Sequence, residues 1–245
     1  MNVLSLFAGI GGLDLGLERA GMRVVGQVEI DPYRRAVLAK HWPEVPRHDD
    51  IRTCVQWWRS TRRPRVDVVA GGFPCQPVSQ AGPRRTQMDE RWLWPVMADV
   101  VANLRPEWIV WENVPGLLSG GLDIVHRDLV RLGYRHRVGW ATACAMGSPH
   151  VRRRLLGVAH APRQGRCQGR ATAGVADLPD PARLWAEPAG GPRWPDEPGV
   201  DRVAYGVPRR VDRCRALGDA VVPQVAEHLG RLIVTSDTND RRDLP

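Results

Sequence analysis

"LSLFAGIGGLDLG", residues 4–16, runs from an apolar β-like stretch through Gly9, Gly11 and Gly12 into a helical pattern that Gly21 closes. Strand, glycine turn and helix in that order open a parallel α/β unit. Glycines let the backbone turn tightly and come close to a ligand, and the helix start presents free N–H groups to an anion. The spacing is not that of a dinucleotide fingerprint. Counted from Gly9, the third glycine of G-x-G-x-x-G is replaced by Asp14. Glu29 ends a second β-like run, "RVVGQVEI", about twenty positions after Gly9, where an acid can accept hydrogen bonds from both ribose hydroxyls of an adenosine. A glycine turn with Glu29 and without a pyrophosphate signature fits S-adenosylmethionine, its carboxylate set at the helix start. Asp50, after a short third strand, is placed to accept from an adenine amino group or to stand as a solvated loop acid.

Outward from this unit the alternation continues. "PYRRAVLAKHW" is a helix with Pro32 in its first turn, and "VDVVAGGF" is a buried strand. "LWPVMADVVANL" is a helix ending before Pro106, "EWIVWENV" a strand, and "LDIVHRDLVRLGY" a helical stretch. "RHRVGWATA" and "RRRLLGVA" close the series as strands. This order predicts an α/β fold with a parallel sheet covered on both faces, binding its ligand at the carboxyl ends of the strands. From Ala161 to Val200 roughly a third of the residues are Pro or Gly, which predicts either a disordered insertion or a small irregular unit anchored by Trp185 and Trp194. "VPQVAEHLGRLIV" is an amphipathic helix with Val225, Leu229 and Leu232 on one face. The last eleven residues, 235–245, read as a polar, frayed tail.

The net charge of +8 and pI near 10.0 favour a polyanionic partner, nucleic acid before membrane surface. All but one of the basic side chains is arginine, Lys40 being the exception, and a guanidinium donates two hydrogen bonds to a phosphate at once. No apolar run has the length of a bilayer span, and the N-terminus lacks the pattern of a signal peptide. Cys54, Cys75, Cys144, Cys167 and Cys214 are odd in number and contain no C-x-x-C pair, which argues against a disulfide framework or a metal site and for a reducing cytoplasm.

Three further constellations bear on chemistry. In "GGFPCQPVSQAG", residues 71–82, Cys75 stands between two prolines at a strand end, ahead of a long, polar, basic segment. A lone cysteine is ordinarily a small buried hydrophobe. At a strand end before a loop of that kind it is also placed as a nucleophile. In "WENVPG", residues 111–116, Glu112 follows an apolar strand, where burial raises a carboxyl's pKa and lets it donate a proton; a capping acid is the plainer alternative. In "SPHVRRRLL", alternation along a strand sends Arg152 and Arg154 to one side and Arg153 to the other, although a charge run is commonly just a solvated face.

In this order the segments "FAGIGG", "VEID", "GGFPCQPVS", "WENVPG", "HVRRR" and "LGDAVVPQVAEHL" resemble the motif series of the C5-cytosine DNA methyltransferases, over residues 3–159 and again 204–233. The resemblance implies a Rossmann-like catalytic unit over 1–159 and 204–234, interrupted by a small target-recognition region at 160–203. It implies S-adenosylmethionine as cofactor, with Phe7, Gly9, Ile10, Gly11, Gly12, Glu29, Ile30, Asp50, Ile51, Pro74, Asp219 and Ala220 at cofactor-contacting positions. Cys75 then attacks carbon 6 of cytosine and Glu112 protonates or holds ring N3. Asn113 positions the loop, and Arg154, with Arg152 beside it, holds the cytosine carbonyl oxygen. The expected partner is double-stranded DNA, acted on by a monomer that works with or without a cognate restriction endonuclease. Cytosine in RNA is the alternative substrate, because a tRNA-modifying group shares the Pro-Cys-Gln and Glu-Asn-Val motifs; a catalytically silent DNA-binding protein is another. Two departures stand out. His150 replaces the glutamine that opens the arginine motif, and Gly218-Asp219 replaces Gly-Asn, changing an amide to a carboxylate beside the cofactor.

Overall fold

The computed structural model describes residues 1–74, 92–148, 151–161 and 210–242. Seven strands form one sheet: β1 (Asn2–Leu6), β2 (Arg23–Val28), β3 (Arg47–His48), β4 (Val68–Gly71), β5 (Trp108–Asn113), β6 (Arg135–Thr142) and β7 (Arg153–His160). Their order is β3-β2-β1-β4-β5-β7-β6. The first five are parallel, and β7 runs antiparallel between β5 and β6. The expected α/β sheet is present. Its order reverses between β1 and β4, and in such sheets the crevice for a ligand opens beyond the carboxyl ends of those two strands.

The strands are buried on both faces, which is why they read as nearly unbroken apolar runs. Leu4 and Leu6 of β1, Ile109 and Trp111 of β5, and Leu155 and Ala159 of β7 face a core shared with helices α3 (Cys54–Arg59), α4 (Trp94–Leu104) and α6 (Leu122–Arg131). Val3, Trp108, Val110, Leu156 and Val158 face the other core, which α1 (Gly12–Arg19) and α8 (Pro223–Arg242) cover. α2 (Pro32–His41) is capped by Asp31, whose carboxylate accepts from the Tyr33 and Arg34 N–H groups. Short helices α5 (Leu117–Gly120) and α7 (Arg210–Asp219) complete the set.

Part of the expected polar tail, residues 235–242, is helical and continues α8. The helix runs on through Arg242, with Ile233 and Asp237 buried. Once a helix is nucleated, each added residue gains a backbone bond. The Thr235 and Thr238 hydroxyls are absorbed by donating to the carbonyls of Arg231 and Val234. Among the described residues no helix is long and apolar enough to cross a membrane.

Asp14, where the dinucleotide pattern fails, proves to be a buried tie between three elements. Its carboxyl accepts from the Ser5 hydroxyl on β1 at 2.5 Å and from the Gln27 amide on β2 at 2.7 Å. Burial outweighs these two bonds and lifts its pKa from 3.8 to about 6. A carboxyl raised in the folded state favours folding most below pH 3.8, and that contribution is lost as pH rises through 6. Asp14→Asn removes this titration. The Gln27 Oε1, which has no hydrogen-bond partner, can turn to accept from the new amide. The variant is therefore expected to gain stability on the native protein by about 2–3 kcal/mol between pH 4 and pH 7. Urea unfolding of both proteins across that range measures the difference; a constant offset would show that Asp14 does not titrate there.

Candidate active site

β1 delivers the chain to the crevice at Leu6, and the turn that follows uses left-handed backbone at Phe7 (φ 53), Gly9 (φ 59) and Gly11 (φ 85). A non-glycine residue in that region marks local strain, which collects at ligand sites. The Ala8 N–H, bonded to Val28 O at 3.0 Å, ties the turn to β2. The turn then receives Glu29: Oε2 accepts the Gly9 N–H at 2.7 Å and Oε1 the Asp31 N–H at 2.9 Å. Each oxygen keeps a lone pair for a further donor. Around this carboxylate lies a cavity of about 450 Å³ with Phe7, Ile30 and Ile51 as apolar walls and Asp50 also in its lining. Asp50 also caps a single 3-10 turn through the Arg52 N–H.

The same cavity reaches the ends of β4 and β5, taking in Gly72, Phe73, Pro74, Glu112, Asn113 and Arg154. Phe73 is buried among Trp92, Trp94 and Trp111, with ring centroids 5.2 to 6.1 Å away. Asn113 donates from Nδ2 to Phe73 O at 2.9 Å, and its Oδ1 accepts the Val114 N–H. The backbone leading to Pro74 is thus held by a packed ring and a buried amide. Glu112 is 8% exposed. Burial raises its pKa, against the charges of Arg154 and then Arg152. Arg154 Nε stands 2.9 Å from Glu112 Oε1, so its charge offsets part of the cost of burying that carboxyl. The expected alternation of arginines holds in the strand. Arg154 turns to Glu112, while Arg153 lies 3.9 Å over the Trp140 ring on the other side. Arg152 shares a small cavity with Glu112 and Arg154, but its guanidinium is bonded to the Gly218 and Ala220 carbonyls.

Of the residues singled out from sequence, the cavity gathers Phe7, Gly9, Gly12, Glu29, Ile30, Asp50, Ile51, Pro74, Glu112, Asn113, Arg154, Asp219 and Ala220. Ile10 and Gly11 lie outside its lining. Gly11 turns its Cα toward Trp42, which a Cβ would meet at 2.4 Å, so this glycine is explained by packing. Gly12 both lines the cavity and abuts Val221 O, which a Cβ would meet at 2.2 Å. Cys75, the segment after it to residue 91, His150 and nearly all of the expected recognition region at 160–203 lie outside the described residues. Sequence reasoning missed Arg34, Leu93 and Val221 as lining residues. Arg34 pairs with Asp219 across 185 positions, a contact with no local signal in the chain.

Solved structures place this sheet among methyltransferases. A candidate DNA modification methyltransferase encoded within an E. coli prophage is 27% identical, with a TM-score of 0.57 over 66% of this chain and 47% of that one. The S. pombe Dnmt2 methyltransferase, 23% identical with a TM-score of 0.55 over 67% of this chain and 51% of its own, shares the fold. The family follows from the sequence. The C-5 cytosine-specific DNA methylase family matches residues 1–172, and the chain belongs to it. Type II methyltransferase M2.BsuMI of Bacillus subtilis is 36% identical over 166 residues, 64% of this chain and 41% of that protein. The chain spans about half or less of the length of the curated relatives it matches. The family uses S-adenosylmethionine as methyl donor.

The cavity fits that donor. Its volume lies in the range of roughly 300–1,000 Å³ usual for small-ligand sites. Glu29 offers two acceptor oxygens fixed by backbone, as a ribose diol requires. Ile30, 68% exposed at the rim, presents an apolar face of the kind an adenine ring covers.

Proposed function

We propose that this chain transfers a methyl group from S-adenosylmethionine to carbon 5 of cytosine in a short sequence of double-stranded DNA. The supporting observation is that one cavity joins the Glu29 end, suited to a ribose, to the buried Glu112–Arg154 pair, suited to a polar ring edge. Carbon 5 of cytosine is too poor a nucleophile to take a methyl group unaided. In the proposed reaction the Cys75 thiolate forms a bond to carbon 6, and the displaced ring electrons are drawn toward N3 by a proton held on Glu112. Arg154 holds the cytosine carbonyl oxygen. Asn113, through the Phe73 carbonyl, fixes the backbone that leads to Cys75. The bound donor supplies the methyl group. A base then takes the carbon-5 proton, the carbon 6–sulfur bond breaks, and the thiolate is restored.

The target base must leave the duplex, at a cost of a few kcal/mol. The net charge of +8 supplies phosphate attraction for that state. Residues 160–203 are assigned to target recognition, and the enzyme acts as a monomer in the cytoplasm. The type II names of its relatives favour a place beside an endonuclease of the same specificity. Expression in a methylation-free bacterial host, with bisulphite sequencing of genomic DNA and RNA and Cys75→Ala as control, tests the reading. Protected cytosines in one short DNA motif, absent from the control, are expected. Protection confined to RNA would move the substrate to the tRNA-type alternative, and none in either would leave a silent DNA-binding protein.

A further inference from the structure

Two side chains that line the cavity meet as an ion pair. Arg34, in the first turn of α2, places Nη2 2.5 Å from Oδ2 of Asp219, the last residue of α7. A carboxylate at a helix C-terminus faces the negative end of the helix dipole and is ill placed unless cations hold it. Here two do. Arg34 takes the carboxylate, and Arg152 takes the backbone on both sides, donating to Gly218 O at 2.8 Å and to Ala220 O. Arg152 holds a left-handed φ of 31° in that position. The Arg34 side chain is 18% exposed and that of Asp219 62%, so the pair sits at the edge of the cavity, not beneath its floor.

Each partner is anchored to a different wall. Arg34 belongs to the start of α2, just after Glu29 and Ile30, whose carbonyls accept from Arg35 Nη1. Asp219 belongs to the turn that leads through Val221 into α8. We infer that Arg34 and Asp219 form an ionic clasp across the mouth of the donor cavity, which closes behind the bound nucleoside and slows its release. The inference rests on the reading of this cavity as the S-adenosylmethionine site. Both are positioning residues: they act on the walls and leave the transferred group to others. A partly exposed pair is screened by salt, so release depends on ionic strength.

S-adenosylhomocysteine, the donor without its methyl group, is the probe, bound to the full chain and displaced in a stopped-flow instrument. Between about 0.05 and about 0.5 M sodium chloride, its release from the native protein is expected to quicken about three- to fivefold, the range of an exposed pair. Asp219→Asn and Arg34→Gln are each expected to release the probe at low salt as fast as the native protein does at high salt, with the salt response gone. The double variant should be no faster than either. Native release rates in Asp219→Asn, or a salt response that survives in it, would overturn the clasp. Arg34→Gln reports the same contact from the other wall, separating it from any effect on α7. Failure of the native protein to bind the probe would instead overturn the donor reading, and the clasp with it.

Discussion

Glu112→Gln is expected to lower methyl transfer by about 10²–10⁴-fold, the contribution of a positioned proton donor, with the fold intact. The substitution keeps shape and volume and changes only the proton. Glu112 ends β5 at 8% exposure, so the neutral form is the cheaper one to bury, and its pKa is raised accordingly. Arg154 and Arg152 pull the other way and keep the group titratable. In the proposed reaction the protonated carboxyl is the working form, so turnover should fall as pH rises through the raised pKa. The variant should lack that limb, since an amide has no proton to lose. Steady-state kinetics on duplex DNA over pH 5–9, with donor affinity measured in parallel, separates the outcomes. Turnover within tenfold of native, or an unchanged alkaline limb, would remove Glu112 from the chemistry.

The second large effect is expected in the core. Gly157 of β7 lies directly opposite Trp111 of β5, and a Cβ there would stand 1.9 Å from the indole. Trp111 is fully buried, so the ring has no solvent to move into. Gly157→Ala therefore forces the ring or the β5–β7 pairing to shift, and about 3 kcal/mol of stability should be lost, at the upper end for overpacking. In a domain of this size that is a fall in Tm of about 10 °C. Trp111 also packs on Phe73 and adjoins Glu112, so activity should fall beyond what the lost stability explains. Trp111→Phe in the same chain frees the space and is expected to recover part of the loss. Calorimetry of the two single variants and the double measures the coupling, and additive losses would mean that the ring and the glycine do not compete for one volume.

What could be read from the chain was what local pattern encodes. β1, β2, β4 and β5 are legible because strands buried on both faces leave long apolar runs, and the ends of the last three give the positions of Glu29, Pro74 and Glu112. The opposite sides taken by Arg153 and Arg154 follow from strand alternation, whereas Arg152 precedes β7 and is turned by its left-handed backbone. What was not legible depends on contacts closed in space. Nothing near Arg34 announces Asp219, and nothing near Gly11 announces Trp42, so the packing that requires a glycine at 11 was not legible. Asp14 looked like a defect in a fingerprint because its partners, Ser5 and Gln27, lie on two other elements. The helical end of α8 was hidden by its polarity: its threonines are spent on its own carbonyls, which no hydrophobic period reveals.

The reversed direction of β7 has a consequence for how this site can change. Its neighbours in the sheet reach the ligand edge with their last residues, whereas β7 reaches it with its first. Leu156 pairs with Glu112, which puts Arg154 diagonally across from the carboxylate on the same face. Moving β7 by one residue would carry every side chain to the opposite face and take Arg154 away from Glu112. A gain or loss of one residue in the turn before β7 could therefore reset the charge balance of the carboxyl while every residue of the site kept its identity. The alignment of a hairpin acts here as an electrical setting.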